Sequence, residues 1–435
     1  MENNIILENI PINDLGKIKM KERTYMTVIE FFDKSPIENI ISAFTICPEK
    51  IVFVGDAKMI KKNLPVYQKF LTGKGLKMKL ECLSVNKNNL WDIVKKLSSV
   101  VEAEEECTFD LTGGEDLVLV ATGIVFHSYK DTKKLHMHRF NIRNGKTIDC
   151  DNDGEVPYQG NPELSVEEWI ALHGGIVASK ATEKAATLVA HKEDIMKIWN
   201  LCRENPGLWN FAVGILNEFQ KYRASTENPL RIYIDVSYAS AYIKNFFGKK
   251  EYLYGLLTSM KSQKLISDLK CNEDEISFIY SNEFVKGCVV KAGDILETKI
   301  LQVVSDMKDE NGAYFCDAER GVFIDWDGTV HSNMDEEKDT ANEIDVLVMH
   351  DLIPVFISCK NGAFDDEELY KLYTVASRFG GVYAKKILVC SDFFERSENT
   401  AHLEQRAKDM QIKIIDGAHK LSDKEIQSKI KEAIS

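Results

Sequence analysis

Asn342-Glu343-Ile344-Asp345-Val346-Leu347-Val348-Met349 is followed by the short polar connection His350-Asp351-Leu352 and then by Ile353-Pro354-Val355-Phe356-Ile357-Ser358-Cys359-Lys360-Asn361-Gly362. The stretch reads as two apolar strands joined by a tight connection. Side chains alternate across a strand, so Glu343 and Asp345 project from one face, and Ser358 and Lys360 share a face of the next strand. Carboxylates and a lysine at the ends of paired buried strands are costly to desolvate without partners. A divalent metal ion and a phosphate would partner both signs of charge. Taken singly, each residue has a structural reading: an acid at a strand start is often solvated, and a lysine before Asn361-Gly362 can lead into a turn. The joint pattern, with apolar interiors between same-face charged pairs, favours a site. His350, at the hairpin end, reads as a surface histidine rather than a ligand.

The 435 residues around this motif leave room for two or three domains, each with its own core. A hydrophobic fraction of 44% and a charged fraction of 28% are those of a soluble globular chain. The start, Met1-Glu2-Asn3-Asn4, lacks the pattern of a secretory signal, and no apolar run is long enough to span a bilayer. Ten cysteines run from Cys47 to Cys390 without a Cys-x-x-Cys pair, which suits reduced thiols in a cytoplasm better than disulfides or structural zinc. The net charge of −13 excludes a global electrostatic grip on duplex DNA. Nucleic acid would have to be held in a local basic groove, weakly, or with help from dimerisation.

Upstream, strands and helices alternate. Strands are expected at Tyr25 to Phe32, Lys50 to Val54, Leu76 to Val85 and Thr108 to Leu111. Helices are expected at Ile37 to Phe44, Met59 to Leu71, Leu90 to Glu102 and Glu115 to Phe126. This alternation predicts a parallel, Rossmann-like sheet. His127 to Pro157 reads as two or three antiparallel strands with turns at Asn144-Gly145 and Asp153-Gly154. A boundary falls near Tyr158 to Pro162, after an uncertain extension at 1–24 and a first domain at 1–160. A mainly helical middle, 161–290, opens with a capping box at Ser165 and Glu168. It ends in a helix-then-hairpin arrangement at Leu253 to Tyr280 that resembles a winged helix. Without a basic recognition face, it is better read as a spacer with its own core. From 291 to 435 the pattern is α/β again, with helices at Gly293 to Lys308 and Asp365 to Phe379 and a strand at Lys386 to Val389.

Phosphodiester hydrolysis needs an activated water and stabilisation of charge building on the phosphate. Mg²⁺ or Mn²⁺ held by carboxylates can supply both, and a nearby lysine can orient the water and stabilise the developing charge. Asp345 is the first candidate metal ligand and Lys360 its electrostatic partner. Glu343 on the same face adds a second carboxylate, and Glu297, in the helix before these strands, a third. Two further loops follow expected parallel strands, where ligands of open α/β sheets bind. Asp33-Lys34-Ser35-Pro36 reads as a helix start, with Ser35 as cap and Glu38 closing a capping box. Thr112-Gly113-Gly114-Glu115 lets backbone amides approach an anion, or forms a tight turn. Neither loop matches G-x-G-x-x-G or a P-loop, so NAD, FAD and ATP have little support.

The layout Asp345…Ser358-Cys359-Lys360 with Glu297 upstream resembles the PD-(D/E)XK restriction-endonuclease-like fold. Leu111-Thr112-Gly113-Gly114 is similar to the fourth-strand motif of CARF domains. Most of the chain thus resembles the CRISPR-associated CARF-domain nucleases of type III systems. The resemblance implies an α/β protein: a Rossmann-like CARF domain, a winged-helix-like middle and a restriction-endonuclease-like nuclease domain. Asp33, Ser35, Thr112, Gly113, Gly114 and Glu115 would then line a pocket for cyclic oligoadenylate, with Gly55 and Asp56 as further candidates. Cyclic tetra-adenylate is the implied activator, and its two-fold symmetry suits a pocket shared by a homodimer. In the nuclease fold the second acidic position lies two residues before the lysine. Here it is Ser358, and Glu343 stands as the substitute from the neighbouring strand. The implied activity is metal-dependent cleavage of single-stranded RNA or DNA, or nicking of duplex DNA. A non-catalytic sensor that binds DNA or protein is the alternative. A restriction or repair endonuclease without a nucleotide activator is a third reading.

Overall fold

The computed structural model describes residues 26–152, 154–156, 163–180, 185–223, 228–242, 246–291, 293–310, 312–328, 341–362, 364–391 and 400–435. The expected extension at 1–24, the boundary at 158–162 and Asp153 of the second turn lie outside the described residues. The chain divides into two compact units, Met1–Pro162 and Glu163–Ser435.

In the first unit, strands and helices alternate as the pattern predicts: β1 (Thr27–Phe31), α1 (Ile41–Thr45), β2 (Lys50–Gly55), α2 (Ala57–Gly73), β3 (Lys79–Ser84), α3 (Leu90–Ala103), β4 (Glu106–Asp110) and α4 (Asp116–Tyr129). Strands β5 (Lys134–Asn141), β6 (Lys146–Asp149) and β7 (Gly154–Glu155) complete a sheet of order β3-β2-β1-β4-β5-β6-β7. It is parallel through β5, which joins β4 rather than opening an antiparallel meander, and antiparallel beyond. β1 is buried at every position, Thr27 and Glu30 included, as in a strand covered on both faces. Phe31 and Phe109 stack at 6.3 Å between β1 and β4, packed with Leu97 and Val101 of α3 and Val118 and Val125 of α4.

One helix departs from expectation. The segment from Ile37 does not become a helix capped by Ser35, because buried Asn39 folds it into turns. The Asn39 amide accepts from Asp33 N at 2.7 Å and donates to Asp33 O at 2.8 Å, Ser35 O at 3.2 Å and Tyr67 Oη at 3.1 Å. Ser35 N is drawn to Asp33 Oδ1 at 3.0 Å, and only Ile41–Thr45 winds as α-helix. A buried amide with this set of bonds outweighs the capping preference of Ser35.

The second unit begins with α5 (Val166–Leu172), whose capping box joins Ser165 and Glu168 as expected. There follow β8 (Ile176–Ser179), α6 (Ala185–Ala190), α7 (Lys192–Glu204), α8 (Pro206–Arg223), β9 (Arg231–Asp235), α9 (Val236–Tyr242) and α10 (Phe246–Ser262). The hairpin β10 (Ile266–Cys271) and β11 (Glu275–Tyr280) follows α10, and β9 adds a third antiparallel strand to it. Next come α11 (Glu283–Val290), α12 (Asp294–Ser305), β12 (Lys308–Asp309), β13 (Gly312–Ala313), β14 (Asp317–Asp325), β15 (Ala341–His350) and β16 (Ile353–Lys360). The chain closes with α13 (Asp366–Phe379), β17 (Lys385–Cys390), α14 (Ala401–Asp409), β18 (Ile412–Ile415) and α15 (Asp423–Ile434). α12 stops before the expected Lys308, which instead pairs with Ala313 across the β12-β13 ladder.

The main sheet runs β18-β17-β16-β15-β14-β8, antiparallel from β8 to β16 and parallel from β16 to β18. Its edge strand β8 comes from the segment expected to be a separate connector. One apolar core runs from Leu188 and Trp209 through Phe278 to Val346, Ile357 and Ile430, so residues 163–290 share a core with the carboxyl-terminal strands. Trp169 of α5 donates Nε1 to Phe379 O at 2.6 Å, a buried tie to the end of α13. Among the described residues no helix is long and apolar enough to cross a membrane.

Candidate active site

β15 and β16 pair antiparallel, with Val346 opposite Ile357. The next step of that register sets Asp345 against Ser358. Ser358 Oγ donates to Asp345 Oδ2 at 3.0 Å, and Cys359 N donates to the same oxygen at 2.6 Å. Asp345 is therefore fixed by the neighbouring strand while its other oxygen remains for a ligand. The strand interiors, Ile344 and Val346 on β15 and Ile357 and Cys359 on β16, are buried and hold the frame rigid.

Around this pair lies a cleft of about 470 Å³. All four residues selected from sequence line it: Glu297, Glu343, Asp345 and Lys360. Glu297 stands in the first turn of α12, beside Arg320 of β14, whose Nη1 is 3.4 Å from Glu297 Oε2 and 3.8 Å from Asp294 Oδ1. Lys360 Nζ lies 2.7 Å from Glu368 Oε2, in the first turn of α13. Exposed Lys291 and Lys371 also line the cleft. Asn361 closes its floor: buried, it donates to Asn210 Oδ1 at 2.8 Å and accepts from Ser391 Oγ, while Asn210 of α8 donates back to its carbonyl. This clamp fixes the chain direction just after Lys360.

Sequence reading missed Asp294, Glu368, Asn210, Lys291 and Lys371. Asp294 had a local signal, one helical turn before Glu297. Glu368 and Asn210 had none, because only the packing of α13 and α8 brings them to β16. His350, expected at the surface, is half-buried outside the cleft; its ring stacks on Tyr314 at 4.3 Å, and Nδ1 lies 2.9 Å from the Tyr314 carbonyl oxygen.

The electrostatics are those of an under-neutralised anionic pocket. Burial pushes the Glu297 carboxyl up to about 8, reinforced by the charges of Asp345 and Asp294 and opposed by the Arg320 guanidinium. Burial alone would weaken the Lys360 ammonium, but its bond to Glu368 and the charge of Asp345 hold its pKa above the ordinary lysine value. Among the described residues, no three His, Cys, Asp or Glu side chains already converge as a metal cage. The donor set nevertheless fits a hard divalent cation. It is all oxygen, and the neighbouring charges of Asp345 and Asp294, which add to burial in raising Glu297, are what such an ion would neutralise.

In the first unit, the candidate ligand residues gather at the carboxyl ends of the parallel strands. Both Asp33 oxygens are engaged: Oδ1 accepts from Ser35 N, and Oδ2 accepts from Gly114 N at 3.4 Å. Asp33 thereby joins the loop after β1 to the loop after β4. Gly113 and Gly114 are demanded by close approach, since a Cβ would lie 2.9 Å from Asp33 Cβ and 2.7 Å from Phe31 Cβ respectively, and Gly114 has φ +112°. Thr112 donates through both N and Oγ1 to Asp110, and its Oγ1 accepts from Phe140 N at 2.9 Å. Glu115 pairs with Lys87 at 3.0 Å. Gly55 closes on Phe32, and Asp56 caps α2 through Met59 N at 2.9 Å. Beneath these loops, Glu30 and Asp110 face each other across β1 and β4. Burial raises both, Asp110 to about 6.

Residues 290–433 match the family described as Card1-like, endonuclease domain. The fold is similar to the crystal structure of protein VC1899 from Vibrio cholerae, with a TM-score of 0.70 and 16% identity over 94% of this chain and 99% of that one. It is also similar to Can2 from Sulfobacillus thermosulfidooxidans in complex with cyclic tetra-adenylate, with a TM-score of 0.62 and 14% identity over 94% and 99%. No curated protein matches the sequence. A Rossmann-like unit followed by a unit whose residues 290–433 match a Card1-like endonuclease domain is the arrangement that the sequence resemblance implied.

Proposed function

We propose that this chain is a homodimeric nuclease, activated by cyclic tetra-adenylate, that uses Mn²⁺ or Mg²⁺ to cleave single-stranded RNA or DNA, or to nick duplex DNA, in type III CRISPR antiviral defence in the cytoplasm. The observation that carries this reading is the meeting of Glu297, Glu343, Asp345 and Lys360 in one cleft within the Card1-like endonuclease domain. Asp345, Glu343 and Glu297 would hold the metal on a PD-(D/E)XK-like frame. A divalent ion there would counter charge on the phosphate and acidify the attacking water. Lys360, held against Glu368, orients that water and stabilises the developing phosphorane charge. Lys291 and Lys371 offer local positive charge to the flanking phosphates, as a chain of net charge −13 requires.

The activator would bind at Asp33, Ser35, Thr112–Glu115 and the Gly55-Asp56 turn, where ligands of parallel sheets dock. Can2 holds cyclic tetra-adenylate in its structure, which supports that ligand for the similar fold here. Its differential affinity for the active arrangement would supply the switch. Ser358 favours a second reading, a non-catalytic sensor, because it places a hydroxyl where a carboxylate is expected. One assay decides: labelled single-stranded RNA, single-stranded DNA and plasmid, with and without cyclic tetra-adenylate, in Mn²⁺, Mg²⁺ or EDTA. Cleavage that needs both activator and metal and disappears in Asp345→Ala is the expected result. Intact substrates under every condition would leave the sensor, and activator-independent cleavage would point to a restriction or repair enzyme.

A further inference from the structure

The family pattern leaves one chemical question open in this chain: which carboxylate replaces the one absent at Ser358. Glu343 was the candidate from sequence, since it shares a face with Asp345. In the cleft, however, Glu343 acts electrostatically on Glu297. Lys360 itself is paired with Glu368 Oε2 at 2.7 Å. Glu343, Glu297 and Glu368 all line the cleft with Asp345. Ser358 cannot take the acid's place, because its hydroxyl donates to Asp345 Oδ2 and so uses up lone-pair capacity at the site rather than adding to it.

We propose that Glu368 of α13 is the missing catalytic carboxylate, reaching the metal from a helix instead of from β16. The proposal rests on the nuclease reading above. Three features of the structure support it. Glu368 lines the same cleft as Asp345 and is half-buried, so its charge is partly desolvated and open to a cation. Its ion pair with Lys360 engages Oε2 at 2.7 Å, and a carboxylate has a second oxygen with which to ligate. Its position in the first turn of α13, capped by Asp365 through Glu367 N, is rigidly set. A helix-borne carboxylate is set by packing against β16 and not by strand alternation, which is why the strand pattern lacks an acid and the cleft does not.

The test measures Mn²⁺ binding directly on the full-length protein by electron paramagnetic resonance of free ion, with cleavage as a second readout. Glu368→Gln is expected to weaken Mn²⁺ binding by at least about tenfold with an unchanged melting temperature. Glu368→Asp, which retains charge on a shorter arm, is expected to fall between the two. Adding Ser358→Glu to Glu368→Gln restores the carboxylate at the strand position and is expected to recover both Mn²⁺ binding and cleavage. Glu343→Gln is expected to cost less than Glu368→Gln. Wild-type affinity in Glu368→Gln, or no recovery in the double variant although Glu368→Gln is folded, overturns the proposal and assigns Glu368 to orienting Lys360 alone. Wild-type protein that neither binds Mn²⁺ nor cleaves would overturn the nuclease reading and this inference together. Wild-type cleavage with an indifferent Glu368 would overturn only the latter.

Discussion

At the scale of single residues, the candidate site is a balance of buried charge. Lys360 is held by Glu368 and Asp345, and its proposed role is to act on charge that builds during the reaction. Lys360→Ala is expected to lower kcat by roughly 10²–10³ while Mn²⁺ binding is retained, measured by single-turnover cleavage beside titration of the ion. Glu297 gives a pH signature in the metal-free protein. Its folded pKa, about 8, lies above the ordinary value of 4.5, so the folded state binds the extra proton. The stability this provides is fully present below 4.5 and is lost as pH rises through 8. Urea unfolding in EDTA at about pH 5, 7 and 9 should show that decline, and Glu297→Gln should flatten it. Asp345, Glu343, Glu297 and Lys360 were legible from residue type and alternation. Glu368 was not, because nothing local links it to β16.

At the scale of elements, short polar side chains set the loops that the helices and strands leave free. The turn after β1 is held by Asn39, and the turn after β4 by two glycines and the Asp33 carboxylate. Capping statistics suggested a helix beginning at Pro36. Burial of one amide decided otherwise, and burial cannot be read from a window of sequence. Gly114→Ala forces φ +112° on an L-residue and drives a methyl against Phe31. It is expected to cost about 1–3 kcal/mol and to weaken binding of cyclic tetra-adenylate, while Mn²⁺ binding at Asp345 persists. Calorimetric titration with each ligand would separate the two effects.

At the scale of the molecule, two units organise the chain. The second unit's core passes through helices of 163–290 and strands beyond 341 without a break. The middle therefore buries β15 and β16 from one side and supplies Asn210 and edge strand β8 to the site's frame. A fragment comprising 163–435 is expected to unfold cooperatively. A fragment of 291–435 is expected to be poorly folded and to aggregate, because it loses one wall of its apolar core. Circular dichroism melting and size-exclusion chromatography of the two fragments would check this. The cluster of Gly, Asn and Pro near 160 marks one division in the sequence. No such signal could tell that the winged-helix-like segment shares its core with the carboxyl-terminal strands, since apolar residues do not name their partners.

By itself, the sequence determined the alternation of strand and helix, the strand faces that carry Asp345 and Lys360, and the glycines that the loop after β4 demands. Each follows from local periodicity or from backbone sterics. Tertiary structure alone decided the rest. It brought Glu368 and Asn210 to the strand pair, tied Asp33 to the loop after β4, and raised Glu297 by burying it among other carboxylates. Those outcomes depend on which distant surfaces exclude water together, and that is a property of the packed chain rather than of any stretch of it.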